Sequence, residues 1–224
     1  MSADLNETRQ ELRTVGNSPL VIFIVYTVGE EAEKNGYWEW LERVDSPFFN
    51  AIPGVRRYEN WIVERNLGGA KIEWDYFDFQ GIDAEESLEP VWFNPDLDGF
   101  RKEWIRLWGY GSKEPSPILR HAYILRPVVK LRPGVETDHL VMTAGRGEPP
   151  SEGDGVFRVE AVLSKHFATG GQRAEGWVKP AADFNPLGFD WLSVTYEKSG
   201  GEDVSMNVAA AEPNLTRLTA RRIA

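Results

Sequence analysis

Arg57, Glu59 and Trp61 stand at alternate positions in the stretch GVRRYENWIVE, so on a β-strand they share one face. A carboxylate held beside a guanidinium and an indole can work as a general acid or base. A two-residue turn at Gly68-Gly69 would set Glu59 directly across the ladder from Asp78, and Val63 across from Trp74. Two carboxylates so placed repel unless Arg57 bridges them or one of them keeps its proton. Glu59 and Asp78 are therefore candidate acid–base residues. The competing reading is a structural ion-pair network. It gains weight because Arg173, Glu175 and Trp177 repeat the same spacing later in the chain.

The opposite face of the same segment carries Tyr58, Asn60 and Ile62. Tyr and Asn buried under helices need hydrogen-bond partners or a ligand. His121, sharing a strand face with Tyr123 and Leu119, is the histidine best placed for proton transfer, whereas His139 and His166 read as structural. Trp104 and Trp108, both within GFRKEWIRLW, offer flat pocket walls, as do Trp61 and Trp74. The expected site thus draws acid–base groups from Tyr58, Glu59, Asp78, His121 and Tyr123, and binding surface from Asn60 and the four tryptophans.

Other chemistries find little support. There is no cysteine, which removes disulfides, thiolate catalysis and Cys-ligated metal. NPDLDG begins like a calcium loop, but Ile105 occupies the position that needs a bidentate Glu. No Gly-rich phosphate loop, GxSxG or HExxH occurs. One histidine can ligate heme iron, yet nothing else points to heme. The expectation is an activity without metal or cofactor. The net charge of −10 repels phosphate backbones and anionic membranes, so neither nucleic acid nor membrane is an expected partner. The first residues lack the apolar core of a signal peptide, and the apolar run from Leu20 to Val25 is too short to span a bilayer. The expected location is cytoplasmic.

The elements that must position these groups follow from periodicity. PLVIFIVYTV is a continuous β-branched run, the mark of a strand buried on both faces. Tyr37, Trp40, Leu41, Val44 and Phe48 recur at helical spacing, ending near Pro53-Gly54. Strands follow over 55–65 and 71–80, then a helix that starts after Asp98 as its N-cap and stops at Gly109, and a strand over 118–128. That order, βαββαβ, is a ferredoxin-like α+β unit. The flanks of the repeated Arg-Glu-Trp extend the match: Glu42, Val44, Ser46 and Phe49 align with Glu160, Val162, Ser164 and Phe167, and Trp74 with Trp191. HLVMTAG aligns with the first strand, and LTRLTARRI reads as the last. The expected fold is two tandem ferredoxin-like repeats whose antiparallel sheets pack into an intramolecular α/β barrel. A polar tail covers 1–18, the first repeat 19–130, a linker 131–136 and a degenerate second repeat 137–224. Phe157, Val159, Ala161 and Leu163 alternate as in a strand, but the repeat assigns them to a helix. GRGEPPSEGDG, residues 145–155, is a connector that could also act as a lid.

The segment YWEWLERVDSPFFNAIPGVRRYENW, an aromatic helix followed by Ser-Pro and Pro-Gly-Val-Arg-Arg-Tyr, resembles the dimeric α/β-barrel superfamily and most of all its EthD-like branch. The resemblance covers about 19–128. It implies a pocket between sheet and helices and a cofactor-independent lyase, dehydratase, cyclase or isomerase. Such an enzyme acts by proton transfer on a small apolar molecule, aromatic or polyketide-like. Alternatives are a non-catalytic small-molecule binding protein and a cofactor-free monooxygenase. Many relatives in that branch carry a histidine near the end of the first helix, where this chain has Asp45. The expected partner is a small-molecule substrate, with the chain a monomer or homodimer. Tyr58, Asn60, His121 and Tyr123 are expected to border the pocket, with Trp104 or Trp108 at its wall.

Overall fold

The computed structural model describes residues 15–29, 31–69, 72–109, 120–131, 137–162, 188–197 and 215–224. Eight strands appear in chain order: β1 (Leu20–Tyr26), β2 (Val55–Gly68), β3 (Tyr76–Ile82), β4 (Arg120–Val129), β5 (His139–Gly145), β6 (Gly155–Val162), β7 (Trp191–Tyr196) and β8 (Thr216–Arg222). They close into one barrel with the neighbour order β1-β3-β2-β8-β5-β7-β6-β4, and β4 returns to β1. Every pair is antiparallel. The helical segments are short. Between β1 and β2 lie α1 (Tyr37–Trp40), a π turn (Leu41–Asp45) and α2 (Ser46–Ala51). Between β3 and β4 lie α3 (Leu88–Trp92), α4 (Asp96–Trp104) and a second π turn (Ile105–Gly109).

This architecture corrects the expected α+β fold of two tandem ferredoxin-like repeats, and with it the resemblance to the dimeric α/β-barrel superfamily and its EthD-like branch. The protein is mostly β, one continuous sheet closed on itself. Hydrogen-bonded ladders between β2 and β8 and between β4 and β6 leave no seam between two packed sheets. The alignment of the two halves fails at a definite place. Glu42 and Val44 lie in a π turn, whereas their supposed counterparts Glu160 and Val162 lie in strand β6. Phe157 is buried in the barrel and Val159 packs beside it, so the alternation there is the ordinary period of a half-buried strand. The superposition expected of Trp61 on Trp177 lies outside the described residues, as do Arg173, Glu175 and His166. Residues 146–154 join β5 to β6.

Two apolar clusters occupy the two sides of the sheet. The inner one draws residues from all eight strands, among them Phe23, Trp61, Phe77, Phe79, Tyr123, Leu140, Phe157, Leu192 and Leu218. Val15, within the expected tail, also packs there. The outer one joins Ile22, Ile24, Tyr26, Tyr58, Tyr76 and Ala122 to the helical residues Tyr37, Leu41, Phe49, Val91, Leu97 and Trp104. Helices therefore cover the barrel wall at β1–β4, and β1 is buried and apolar on both faces. This explains the unbroken apolar run of β1.

Register decides which side chains share a face. β2 pairs with β3 so that Asn60 faces Asp78 and Glu59 faces Phe79. The two-residue hairpin expected at Gly68-Gly69 is off by one residue, because the connection runs from Gly68 to Tyr76. A one-residue slip moves every side chain of a strand to the other face. Asp78 accordingly leaves Glu59 and points out toward the helices.

Glu59 remains inside, 1% exposed. Arg57 Nε pairs with its Oε1 at 2.5 Å, Arg222 Nη1 lies 3.4 Å away, and Trp61 Nε1 donates to Oε2 at 3.2 Å. Arg222 also binds Asp138, which ties β8 to the start of β5. Glu59 thus belongs to a structural ion-pair network. Replacing Glu59 by Ala should cost stability toward the lower end of the about 3–5 kcal/mol seen for broken buried pairs. The discount follows from the 25% and 22% exposure of the Arg57 and Arg222 side chains. Urea unfolding of the two proteins measures the loss.

Candidate functional site

The outer face of β2 and β3 carries polar groups where burial demands partners. Asn60 and Asp78 are 0% and 3% exposed, and Asp45 is 3% exposed at the end of the first π turn. Asn60 Nδ2 donates to Asp78 Oδ1 and to Asp45 Oδ2, each at 2.9 Å, and lies 3.1 Å from the Tyr58 hydroxyl. Tyr58 donates to Asp78 Oδ2 at 2.8 Å, and Tyr26 donates to Asp78 Oδ1 at 3.0 Å. One carboxyl group is therefore gripped by two phenols and an amide, and that amide also holds the second carboxyl.

Behind this first layer the hydrogen bonds continue in one direction. Trp104 Nε1 donates to the Tyr37 hydroxyl at 3.2 Å, and Tyr37 donates to the Tyr26 hydroxyl at 3.2 Å. Each hydrogen points toward Asp78, so the bonds polarise one another in the same sense. Tyr76 stacks on Tyr26 with centroids 5.7 Å apart, accepts from Trp38 Nε1 at 3.0 Å and donates to Glu33. Ring packing and hydrogen bonding together fix the tyrosines.

Local sequence explains how Asp45 enters the site. Pro47 has no N–H to give to the carbonyl of Arg43, so a regular helical bond is lost at this point. The helix widens into the π turn Leu41–Asp45 just before it. Such turns are rare and recur at functional sites. The second π turn, Ile105–Gly109, follows directly on Trp104.

The electrostatics set Asp78 apart. Burial, and then the charge of Asp45, push its pKa up to about 8, although the hydrogen bonds from Tyr58, Asn60 and Tyr26 pull the other way. Tyr26, Tyr37 and Tyr58 are all raised well above the ordinary tyrosine value, first by burial and then by the nearby carboxylates. The phenols stay protonated donors while Asp78 exchanges its proton near neutral pH.

A pocket opens beside these groups. Asp45, Asp78, Tyr26 and Tyr58 form its polar part, and Phe49, Phe100, Trp104 and Arg101 complete the lining. Its empty volume is ≈ 300 Å³ with the open mouth included, of which only a water-sized part is enclosed. Asn60 Oδ1 and Trp108 Nε1 are buried with no partner in the protein. Among the described residues, no group of three or more His, Asp or Glu side chains gathers as a metal site, and no helix is long and apolar enough to cross a membrane.

The expected site residues divide between the two faces. Tyr58, Asn60, Asp78 and Trp104 come together at the pocket or directly behind it. Trp108 packs on Tyr37 and Trp40, with centroids 5.3 and 5.9 Å away. Glu59, Trp61, Trp74 and Tyr123 lie inside the barrel instead: Trp61 stacks on Phe77, Trp74 meets Phe23 edge-on, and Tyr123 lies 5.3 Å from Phe189. His121 pairs with Val25, an inner-cluster residue, so it faces inward as well. Its Nδ1 is buried without a partner, and burial lowers its pKa. The expected grouping of His121 and Tyr123 with Tyr58 and Asn60 is corrected, because β4 presents the opposite parity to the helices. Tyr26, Tyr37, Phe49, Phe100 and Arg101 did not stand out in the sequence. Asp45 did so only as the residue in place of a histidine.

Comparison with protein families, with curated proteins and with solved structures finds no match to this chain. The site's own chemistry is therefore the ground for a functional reading.

That chemistry predicts a pH dependence of stability. Asp78 binds its proton more tightly folded than unfolded, so its contribution is complete below the unfolded carboxyl range near pH ~4 and is lost as pH rises through the folded value. Because Asp45 lies beside it, the loss belongs to the pair. Relative to wild type, Asp78→Asn should gain stability steadily from about pH 5 to about pH 8 and level off above, as followed by urea unfolding. Parallel curves for the two proteins across that window would rule out the raised proton affinity.

Proposed function

We propose that the protein is a cofactor-independent enzyme that moves a proton on a small, largely apolar, aromatic molecule, in a reaction of the lyase or isomerase kind. The observation that carries this reading is the Asp78 carboxyl, poised near neutral pH at the polar end of an aromatic pocket, with the charge of Asp45 beside it. A general acid or base works best when its pKa lies near the operating pH. A buried carboxyl group with a second one beside it, here bridged through Asn60, can both take up a proton and give one back near neutral pH.

The step can be written with its electrons balanced. Asp78, in its ionised form, takes a proton from a carbon next to a carbonyl. The C–H electron pair becomes the C=C of an enolate, and the negative charge moves to oxygen. A hydrogen bond from a phenol such as Tyr58 or Tyr26 stabilises that oxygen. Where a β,γ double bond extends the enolate to a dienolate, returning the proton to the γ-carbon gives the conjugated isomer. Delivering it to a departing β-hydroxyl releases water and completes a dehydration. Phe49, Phe100 and Trp104 supply apolar walls that strengthen the electrostatic interactions within.

Exchange of substrate hydrogen for deuterium tests this reading. In D₂O, aryl ketones and β-hydroxy aryl ketones that bind the protein should lose the signal of the hydrogen next to the carbonyl. The rate should fall about 10²–10⁴-fold in Asp78→Asn, the usual contribution of a positioned proton-transfer group. Binding without exchange for every such compound would make the protein a carrier or sensor. Undiminished exchange in folded Asp78→Asn would move the chemistry elsewhere.

A further inference from the structure

The pocket holds one basic side chain, Arg101, among eight lining residues. Its position is fixed from several sides. Nη2 donates to the Trp92 carbonyl at the end of α3 at 3.0 Å, and the guanidinium lies over the Trp92 ring, 5.5 Å from its centroid. Asp98, one turn earlier on α4, lies 3.9 Å from Nη1. A guanidinium held in this way loses little freedom when it meets an anion, and its planar fork matches a carboxylate. Arg101 belongs to α4, whereas Asp78 lies on the sheet and Asp45 on the helical segment between β1 and β2. The cation and the carboxyl pair thus reach the pocket from separate elements.

The walls are flat rings. Phe49 stacks on Tyr58 with centroids 4.3 Å apart and planes 20° apart, and Phe48 stacks on Phe100 at 4.1 Å and 9°. Phe49 meets Phe100 edge-on at 5.3 Å. The space enclosed is only water-sized and the two rings touch, so the body of a ligand must lie at the open side, against the outer edges of these rings and beside Arg101. A planar aromatic ring exploits such walls through offset or edge contacts.

We propose that the site takes a planar aromatic molecule carrying one anionic group, with Arg101 binding the anion and the aromatic body resting at the mouth against the touching Phe49–Phe100 pair. This deepens the proton-transfer reading and rests on it for the location of the site. The anion is thereby turned away from the carboxyl pair, which would repel it, and the reactive carbon is turned toward that pair. Arg101 is a specificity-determining residue. It selects an aromatic acid over its neutral analogue.

Three probes separate the contributions: benzoate, benzamide and acetate, titrated into ¹⁵N-labelled protein while the Trp104 indole N–H signal is followed. Benzoate should bind at least about tenfold more tightly than benzamide, as one charge-assisted hydrogen bond allows. Acetate should bind more weakly than benzoate. In Arg101→Gln the preference for benzoate should vanish while benzamide binding is unchanged, and Arg101→Lys should restore part of it. Equal affinities for benzoate and benzamide in wild type, or an undiminished preference in folded Arg101→Gln, would overturn the proposal. So would failure of benzoate to move the Trp104 signal. Deuterium exchange keeps the two readings apart. An Arg101-dependent benzoate site without exchange of any bound ketone would sink the chemistry alone, and exchange without anion selectivity would sink this inference alone.

Discussion

Asn60 and Asp78 face one another across β2 and β3, and the amide of Asn60 reaches past its register partner to Asp45 on the covering helical segment. This bridge holds two buried carboxyl groups in one place and joins barrel wall to helix. Tyr26 and Tyr58 can converge on Asp78 only because the register brings the three side chains to the same face. The bridge also opposes itself. Burying two like charges is costly, and the protein meets the cost with donated hydrogen bonds and by letting one carboxyl keep its proton.

The barrel separates two tasks. Its inner side is a nearly continuous aromatic and aliphatic core, with Phe23 in contact with Trp74, Phe77, Phe79, Tyr123 and Phe189. The charged cluster of Glu59, Arg57 and Arg222 joins β2 to β8. The outer side, under the helices, carries polar groups that a core built for stability alone would exclude. A closed sheet has no edge strands to fray, and it offers a rigid wall on which a small site can be placed with precision.

Much of this division could be read from the sequence, and the failures have physical causes. Alternation placed Tyr58 and Asn60 on the helix side as residues in need of partners. The helical stripe from Tyr37 to Phe48, the Trp104 helix and most strands were visible from periodicity. Asp78 was assigned to the wrong face because the length of the β2–β3 connection sets the register, and glycines at Gly68-Gly69 do not reveal it. His121 and Tyr123 were misplaced for a related reason: β4 is apolar on both faces, so nothing local fixes its parity. Tyr26 and Tyr37 were indistinguishable from core aromatics until the strands and helices were packed. In residues 157–162 the local period of two was the better guide, and the apparent repeat misled. Matches of Glu, Val and Ser across the two halves outweighed an alternation that reflects one face buried in a barrel.

The central claim is that Asp78 holds its proton at neutral pH because it is buried beside Asp45. Titration of protein labelled with ¹³C at the aspartate carboxyl groups reads this directly, with Asp78→Asn identifying the signal. The account predicts that this resonance titrates at about 8 and moves down in Asp45→Asn, where the neighbouring charge is gone. A midpoint in the ordinary carboxylate range near ~4, unmoved by Asp45→Asn, would contradict it.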